Sequence, residues 1–289
     1  MHSQTEAWCG GTTNKQRKVM SYKTNLIKAK ISYLGGVKHS AKIMKSYIHN
    51  VCTYCIYLAP YNTSGRQVCP NAEYCKDLCL NTSGHNKANI LATGYDESII
   101  NQARIRKTKL FFENRDLFME ILIHELKKYK KFAEEHNMQF AVRLNGTSDI
   151  SPLAFHYKGK NILELFPDVM FYDYTKVPTR MLLSYKNYDV TFSYDGHNWG
   201  TCEEWLKLGG KVAVVFASHE MPTKFKGFNV VDANTSDARF LDPQGSIMGL
   251  AFHPIVKDGK IYKCENLDDA DFDTSFVVTV DNNDEVSFV

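Results

Sequence analysis

No stretch of about 18 consecutive apolar residues occurs in the chain, so a membrane-spanning helix is not expected. The opening segment, Met1 to Lys18, is polar and has no apolar core of the secretory kind. It reads as a loose tail (residues 1–21 in all), with Met20 as an alternative start, and the cytoplasm is the expected compartment. Charge of one sign is also scarce. A net charge of +3 is too small to identify a nucleic-acid partner. Two local basic stretches, Lys15-Gln-Arg-Lys18 and Arg104-Ile-Arg-Lys-Thr-Lys109, are the candidates, with solvated surface as their plainer explanation. Eight cysteines in 289 residues are too few for a disulfide scaffold, and in a cytosolic chain close-spaced ones point to metal or redox chemistry. There is no Gly-rich strand-to-helix fingerprint for a dinucleotide. No internal repeat or low-complexity linker divides the chain, so residues 22–289 are read as one domain with an acidic tail after Ile261. The oligomeric state is not legible.

What the chain does have is apolar mass. It is 44% hydrophobic, with 17 Phe and 16 Tyr, enough to offset the entropy of ordering. Leu117, Phe118, Ile121, Leu122, Leu126, Tyr129 and Phe132 form a helical stripe over Leu117 to Glu135. From there strands and helices alternate. Strands are expected at 138–144, 169–174, 188–193 and 211–216, with less marked ones at 54–58, 228–231 and 246–252. Short helices are expected at Asn161 to Phe166 and Pro178 to Lys186, and a longer one at Asn198 to Leu208 stopped by Gly209-Gly210. The tail ends in a hairpin pattern around Asp281 to Asp284. Strands spaced by 20 to 30 residues with helices between them indicate βαβ units. The expected fold is therefore an α/β protein, a (β/α) barrel of parallel strands, complete or incomplete, with a cysteine-containing loop in its N-terminal part.

In such architectures ligands bind at the carboxyl ends of the strands. The residues just past each strand are Asn145 to Asp149, Asp173 to Lys176, Asp195 to Asn198 and Ser218 to Glu220. Asp232, Asp237, Arg239 and Asp242 follow later. Each taken alone is explained as a helix cap or turn former. The mixture of Asp, Lys, His and Arg is not, because caps need no cations. Asp149, Asp173, Lys176 and Asp195 are thus candidate catalytic residues, and Asn145, Tyr174, Arg180, Asp237 and Arg239 candidate substrate contacts.

Ahead of these lie Cys69, Cys75 and Cys79, with five and then three residues between them. Thiolates are soft ligands suited to zinc or an iron–sulfur cluster, and three of them leave a coordination position open. The alternative is three unligated thiols packing as small apolar groups. Cys52 and Cys55 form a Cys-x-x-Cys pair that alternates with the apolar residues of an expected strand and reads as core or edge, with Cys52, Cys55 or His85 as sources of a fourth ligand.

The stretches Tyr57-Leu-Ala-Pro60, Cys69-Pro70, Cys75, Cys79-Leu-Asn-Thr-Ser-Gly84, Arg143-Leu-Asn-Gly-Thr-Ser-Asp149 and Phe171-Tyr-Asp-Tyr-Thr-Lys176 resemble a bacteriophage group, the gene product 88 family, over residues 22 to 253. More loosely the chain is similar to radical-SAM-like phage proteins. Their Cys-x-x-x-Cys-x-x-Cys spacing and Gly-Gly-Glu segment are absent here. A further similarity is to queuine-type transglycosylases, through Pro178-Thr-Arg180 and a strand-end Asp nucleophile, here Asp149 or Asp173. These resemblances imply a phage enzyme acting on a nucleotide or nucleic-acid base. One form carries an iron–sulfur cluster on Cys69, Cys75 and Cys79, with S-adenosylmethionine as cosubstrate. The other is a zinc-containing base-exchange enzyme. A non-catalytic nucleic-acid-binding protein with a structural metal is the third expectation.

Overall fold

The computed structural model describes residues 14–38, 41–279 and 286–287. Seven strands make its centre: β1 (Val51–Ile56), β2 (Gln139–Arg143), β3 (Met170–Thr175), β4 (Tyr188–Ser193), β5 (Lys211–Phe216), β6 (Phe228–Asp232) and β7 (Ile247–Ala251). All are parallel, and they lie side by side in the order β1-β2-β3-β4-β5-β7-β6. β1 and β5 are almost wholly buried, as apolar strands covered on both faces must be. β8 (Val277–Val278) pairs with the last two residues of β5, beyond the point where β4 has separated from it.

The parallel α/β sheet expected from the alternation of strands and helices is present. Closure into a barrel is not found among the described residues. β6 leaves the two-residue strand Lys224–Phe225 through an antiparallel turn and lies outside β7, so the run of parallel strands ends there instead of returning to β1. At the other edge, β1 pairs antiparallel with Gly35–Gly36.

Alternation along each strand gives the sheet two faces. Tyr54, Val142, Leu144 and Phe171 point to the outer face, where they meet Phe118, Ile121, Leu122 and Leu126 of a long helix in the largest core cluster. Burying each large apolar side chain there contributes roughly 1.5–3 kcal/mol. That helix is α4 (Arg115–Glu135), preceded by α1 (Asn14–Ala29), α2 (Gly84–Thr93) and α3 (Ile99–Glu113). Asn114 caps α4, its side chain accepting from the Leu117 N–H at 3.2 Å. Glu125 pins α4 to its surroundings by accepting from Tyr22 Oη, from the N–H groups of Leu34 and Gly35, and from Tyr54 Oη. The inner face carries Thr53, Arg143 and Tyr172, and Ala141 and Tyr172 there pack against Ala238 and Phe240 of the chain crossing from β6 to β7.

Several boundaries depart from those expected. The first strand lies at Val51–Ile56 rather than 54–58, and the helix expected over 178–186 is a 3-10 turn, Pro178–Leu182. Pro178 takes its first turn, and Leu183 leaves the helical conformation for an extended one at ψ 108°. The segment read as a loose tail contains α1 from Asn14 onward, while residues 1–13 and the hairpin pattern at 281–284 lie outside the described residues. The basic stretch from Arg104 to Lys109 is solvated only in part: it belongs to α3, with Arg106 and Lys109 exposed, Arg104 half-buried and Lys107 and Thr108 buried. α6 (Trp199–Lys207), which follows the short helix α5 (Ile162–Leu165), ends as the glycines indicate. Gly209 adopts φ +86°, where a side chain would be strained.

Candidate functional site

The cysteine loop and the strand ends meet in one cavity of about 180 Å³. Its walls include Cys69, Cys75 and Cys79 on one side and Arg143, Asn145, Asp149, Tyr174 and Lys176 on the other. Leu78, Val215, Leu250 and Phe276 supply apolar surface between them. At roughly 10–15 Å³ per water position, that volume holds on the order of a dozen waters, far more than one ion needs. The site therefore stands where β/α architectures gather ligands, beyond the carboxyl ends of β2, β3, β4 and β5.

The turn after β2 is held rigidly. Asn145 receives Ser148 Oγ at 2.8 Å and the Ile150 N–H at 2.9 Å on its carbonyl oxygen, while its own amide donates to Ile150 O and Asp173 Oδ2. Gly146 is required there, because a Cβ would fall 2.6 Å from the Tyr57 ring and 2.7 Å from Ile56 O. Asp149 closes the turn onto β3: Thr175 Oγ1 donates at 2.8 Å, the Lys176 N–H at 2.9 Å, and Arg180 forms an ion pair at 3.2 Å. Both carboxylate oxygens are engaged.

Asp173 lies behind the cavity rather than in it. It is buried and accepts from the Asn145 N–H at 2.9 Å and the Asn145 amide at 3.0 Å. Burial pushes its carboxyl up to about 7 against the opposing pull of those two hydrogen bonds and of Arg143 and Arg180. Asp195 is not in the cavity wall either. It receives the N–H groups of His197 and Asn198, the turn-forming role that its sequence context also allowed. Asp237 and Arg239 belong to the segment crossing the inner face. Asp237 accepts at 3.2 Å from Arg143 on both carboxylate oxygens and from Tyr172 Oη, below the cavity floor. Arg239 is buried, donating to Ser236 O and paired with Asp242 at 3.1 Å without hydrogen-bond alignment. Arg180 stands behind Asp149. Of the candidates, Asn145, Asp149, Tyr174 and Lys176 share the cavity with the three cysteines.

Two of the three sulfurs accept backbone N–H groups: Tyr61 donates to Cys69 Sγ at 3.3 Å and Asn81 to Cys79 Sγ at 3.4 Å. Donors aimed at sulfur suit a thiolate. Burial, with a smaller contribution from mutual repulsion within the trio, pushes the Cys69 thiol up to about 12 and the Cys79 thiol to about 11. Without a cation both are therefore protonated, and a coordinated metal is what would remove the protons. Among the described residues no group of three or more His, Cys, Asp or Glu side chains is drawn together tightly enough for one metal ion. The sources considered for a fourth ligand are elsewhere. Cys52 and Cys55 are buried in β1 and His85 is exposed on α2, and none of them walls the cavity.

Lys176 has no carboxylate partner among the described residues, and its ammonium lies 4.8 Å from the Phe276 ring centre. Phe276 reaches the cavity from a C-terminal strap tied down at its outer end. His197 Nε2 meets Asp273 Oδ2 at 2.7 Å and Ser275 Oγ at 2.9 Å, and Tyr74 of the cysteine loop stacks on the same imidazole at 3.9 Å.

The frame behind Cys79 was not read from the sequence. Asn81, Asn86, Ser98 and Asn101, all buried, bond one another where α2 and α3 leave the loop, and Arg104 donates into the same group. A search for apolar stripes passes over an interface made of amides. The recurrence of Asn at 81, 86, 89 and 101 beside the cysteines was the available signal.

The profile of the family described as Gene product 88 matches residues 17–267. No curated protein and no solved structure matches the chain, so the likenesses to radical-SAM proteins and to transglycosylases gain no support from these comparisons. No helix among the described residues is long and apolar enough to cross a membrane.

Proposed function

The chain belongs to the phage Gene product 88 family, and we propose that it is an iron–sulfur enzyme acting on a nucleotide or nucleic-acid base in the host cytoplasm. One observation carries the reading: Cys69, Cys75 and Cys79 wall the same cavity as the polar strand ends Asn145, Asp149, Tyr174 and Lys176. In this reading the open sheet is an incomplete (β/α) barrel with its working mouth at the usual end.

The three cysteines would hold the cluster, with the Tyr61 and Asn81 N–H groups steadying two of the sulfurs. When bound, such a cluster supplies one-electron chemistry and an iron position free for a cosubstrate such as S-adenosylmethionine. Lys176, a cation with no carboxylate partner among the described residues, would bind a phosphate or another anionic group of the substrate. Tyr174, whose ring lies 4.7 Å from the Arg143 guanidinium, offers a flat face to a base. Leu78, Val215, Leu250 and Phe276 would exclude water from the reacting end. Asp149 and Asp173 hold the turn that presents Asn145. Their oxygens are engaged by Thr175, Lys176, Arg180 and Asn145, which weighs against either as a transglycosylase nucleophile.

Anaerobic expression and reconstitution, followed by iron and acid-labile sulfide analysis, tests the reading. A coloured protein with iron and sulfide in equal amounts is expected. Colourless protein with stoichiometric zinc overturns the iron–sulfur assignment and returns the weight to the zinc enzyme.

A further inference from the structure

Beside the cysteine cavity lies a half-buried cation with no carboxylate partner among the described residues. Arg104, on α3, donates from Nη1 to Asn81 Oδ1 and, at 3.5 Å, to Asn81 O. Its guanidinium carbon lies 5.3 Å from the Tyr57 ring centre. Among the described residues no carboxylate pairs with it, and its Nε is buried with no hydrogen-bond partner. The ionisable groups that favour its charge most are Cys79, Tyr57, Tyr95 and Cys55, while Lys107 is a like charge within range.

Taking a guanidinium out of water without a counter-ion is costly, and arginine does not escape the cost by giving up its proton. A nearby anion would offset that cost. Cys55 is sealed inside β1 and walls no cavity. Cys79 alone combines nearness to Arg104 with a place in the cavity wall. The connection between them is also mechanical. The residue that accepts from Arg104, Asn81, donates its N–H to Cys79 Sγ at 3.4 Å, and its amide is locked by Asn101 at 3.1 Å and Tyr95 Oη at 3.2 Å.

We propose that Arg104 is the counter-charge of the cysteine-held centre, a positioning residue that fixes Cys79 through Asn81 and whose cation stabilises the negative charge of the thiolates. The proposal rests on the cysteine-held centre of the reading above, and for an iron–sulfur cluster it adds a sign to it. Reduction adds an electron to the centre, so a fixed cation nearby favours the reduced form and raises the midpoint potential.

The test uses the anaerobically reconstituted full chain in three forms: wild type, Arg104→Gln and Arg104→Lys. Glutamine retains an amide and loses the charge, whereas lysine retains the charge. At a fixed solution potential the reduced-to-oxidised ratio is expected to fall about tenfold in Arg104→Gln, a midpoint about 59 mV lower for a one-electron couple. Arg104→Lys should stay close to wild type. A wild-type midpoint in fully loaded Arg104→Gln overturns the proposal, as does an equal fall in Arg104→Lys. Arg104→Met is a second neutral variant. If neither neutral variant folds while Arg104→Lys does, even with metal supplied, Arg104 belongs to the scaffold and the proposal fails. Wild type that carries zinc instead removes the iron–sulfur reading without removing this one. A chelator should then strip zinc at least tenfold faster from Arg104→Gln than from wild type or Arg104→Lys, and equal rates overturn it. Wild type that holds neither metal overturns both.

Discussion

From the cavity floor downward, the cations buried on the inner face of the sheet have carboxylates. Arg143 meets Asp237 at 3.2 Å, Lys211 meets Asp189 at 2.7 Å and Arg239 meets Asp242 at 3.1 Å. Toward the strands' carboxyl ends, Lys176 and Arg104 have none among the described residues, and three protonatable thiols stand near them. Both regions lie against the same seven strands. One is closed by the chain crossing from β6 to β7, and each of these cations faces a carboxylate of the protein. The other is open, and its charges lack a match until something binds. Pairing inside the fold marks a part whose work is structural; surplus charge around a cavity marks a part that waits for a ligand.

The largest expected effect tests the closed half. Asp237→Ala leaves Arg143 buried without its partner and should cost about 3–5 kcal/mol of stability, read by urea denaturation. A loss under about 1 kcal/mol would mean that the closed half does not depend on matched charge.

Asp173 gives a comparable effect with a definite sign. Its carboxyl titrates at about 7 in the folded chain, above the ordinary value of 3.8, because it is buried. The folded state therefore holds a proton that the unfolded state releases. This contribution is fully present below about pH 4 and is lost as pH rises through about 7, by on the order of 3–4 kcal/mol. Denaturation curves across pH 4 to 8 should show that decline, and Asp173→Asn should flatten it. An unchanged slope in the variant would remove Asp173 as its source.

Lys176→Gln sharpens the contrast from the open side. Folding stability should change by less than about 1 kcal/mol, because no ion pair is broken. Affinity for a nucleotide, measured by calorimetry on the reconstituted protein, should fall about tenfold, the effect of roughly 1.4 kcal/mol. Destabilisation on the scale of Asp237→Ala would erase the distinction between the two halves. The smallest effect belongs to the strap. Asp273→Asn breaks a half-exposed contact with His197 and should cost under about 1 kcal/mol. Hydrogen exchange confined to residues 271–278 is the measurement that would detect it.

These contrasts were unevenly legible in the sequence. The strands Tyr188–Ser193 and Lys211–Phe216 stand where their β-branched and apolar runs indicate, because burial on both faces leaves an unbroken signal. The meeting of the cysteine loop with Asn145, Asp149, Tyr174 and Lys176 followed from the rule that sites gather at carboxyl strand ends. That rule says nothing of a chain that crosses back under the sheet, so Asp237 and Arg239 read as site residues when they pair with Arg143 and Asp242 in the closed half. Asp195 was ambiguous for a different reason, since an Asp before Gly-His-Asn forms the same turn with or without a ligand. Arg104 looked like surface charge within a basic run, and only the helix that turns it toward Asn81 reveals its burial.

The central claim is that Cys69, Cys75 and Cys79 act together on one centre, and a panel of single cysteine variants tests it most directly. Iron and acid-labile sulfide would be measured after anaerobic reconstitution of Cys69→Ala, Cys75→Ala and Cys79→Ala beside Cys52→Ala, Cys55→Ala and Cys264→Ala. The first three should lose the bound iron and the last three keep it. Iron retained in any of the first three, or lost equally across all six, would contradict a single centre at the mouth of the sheet.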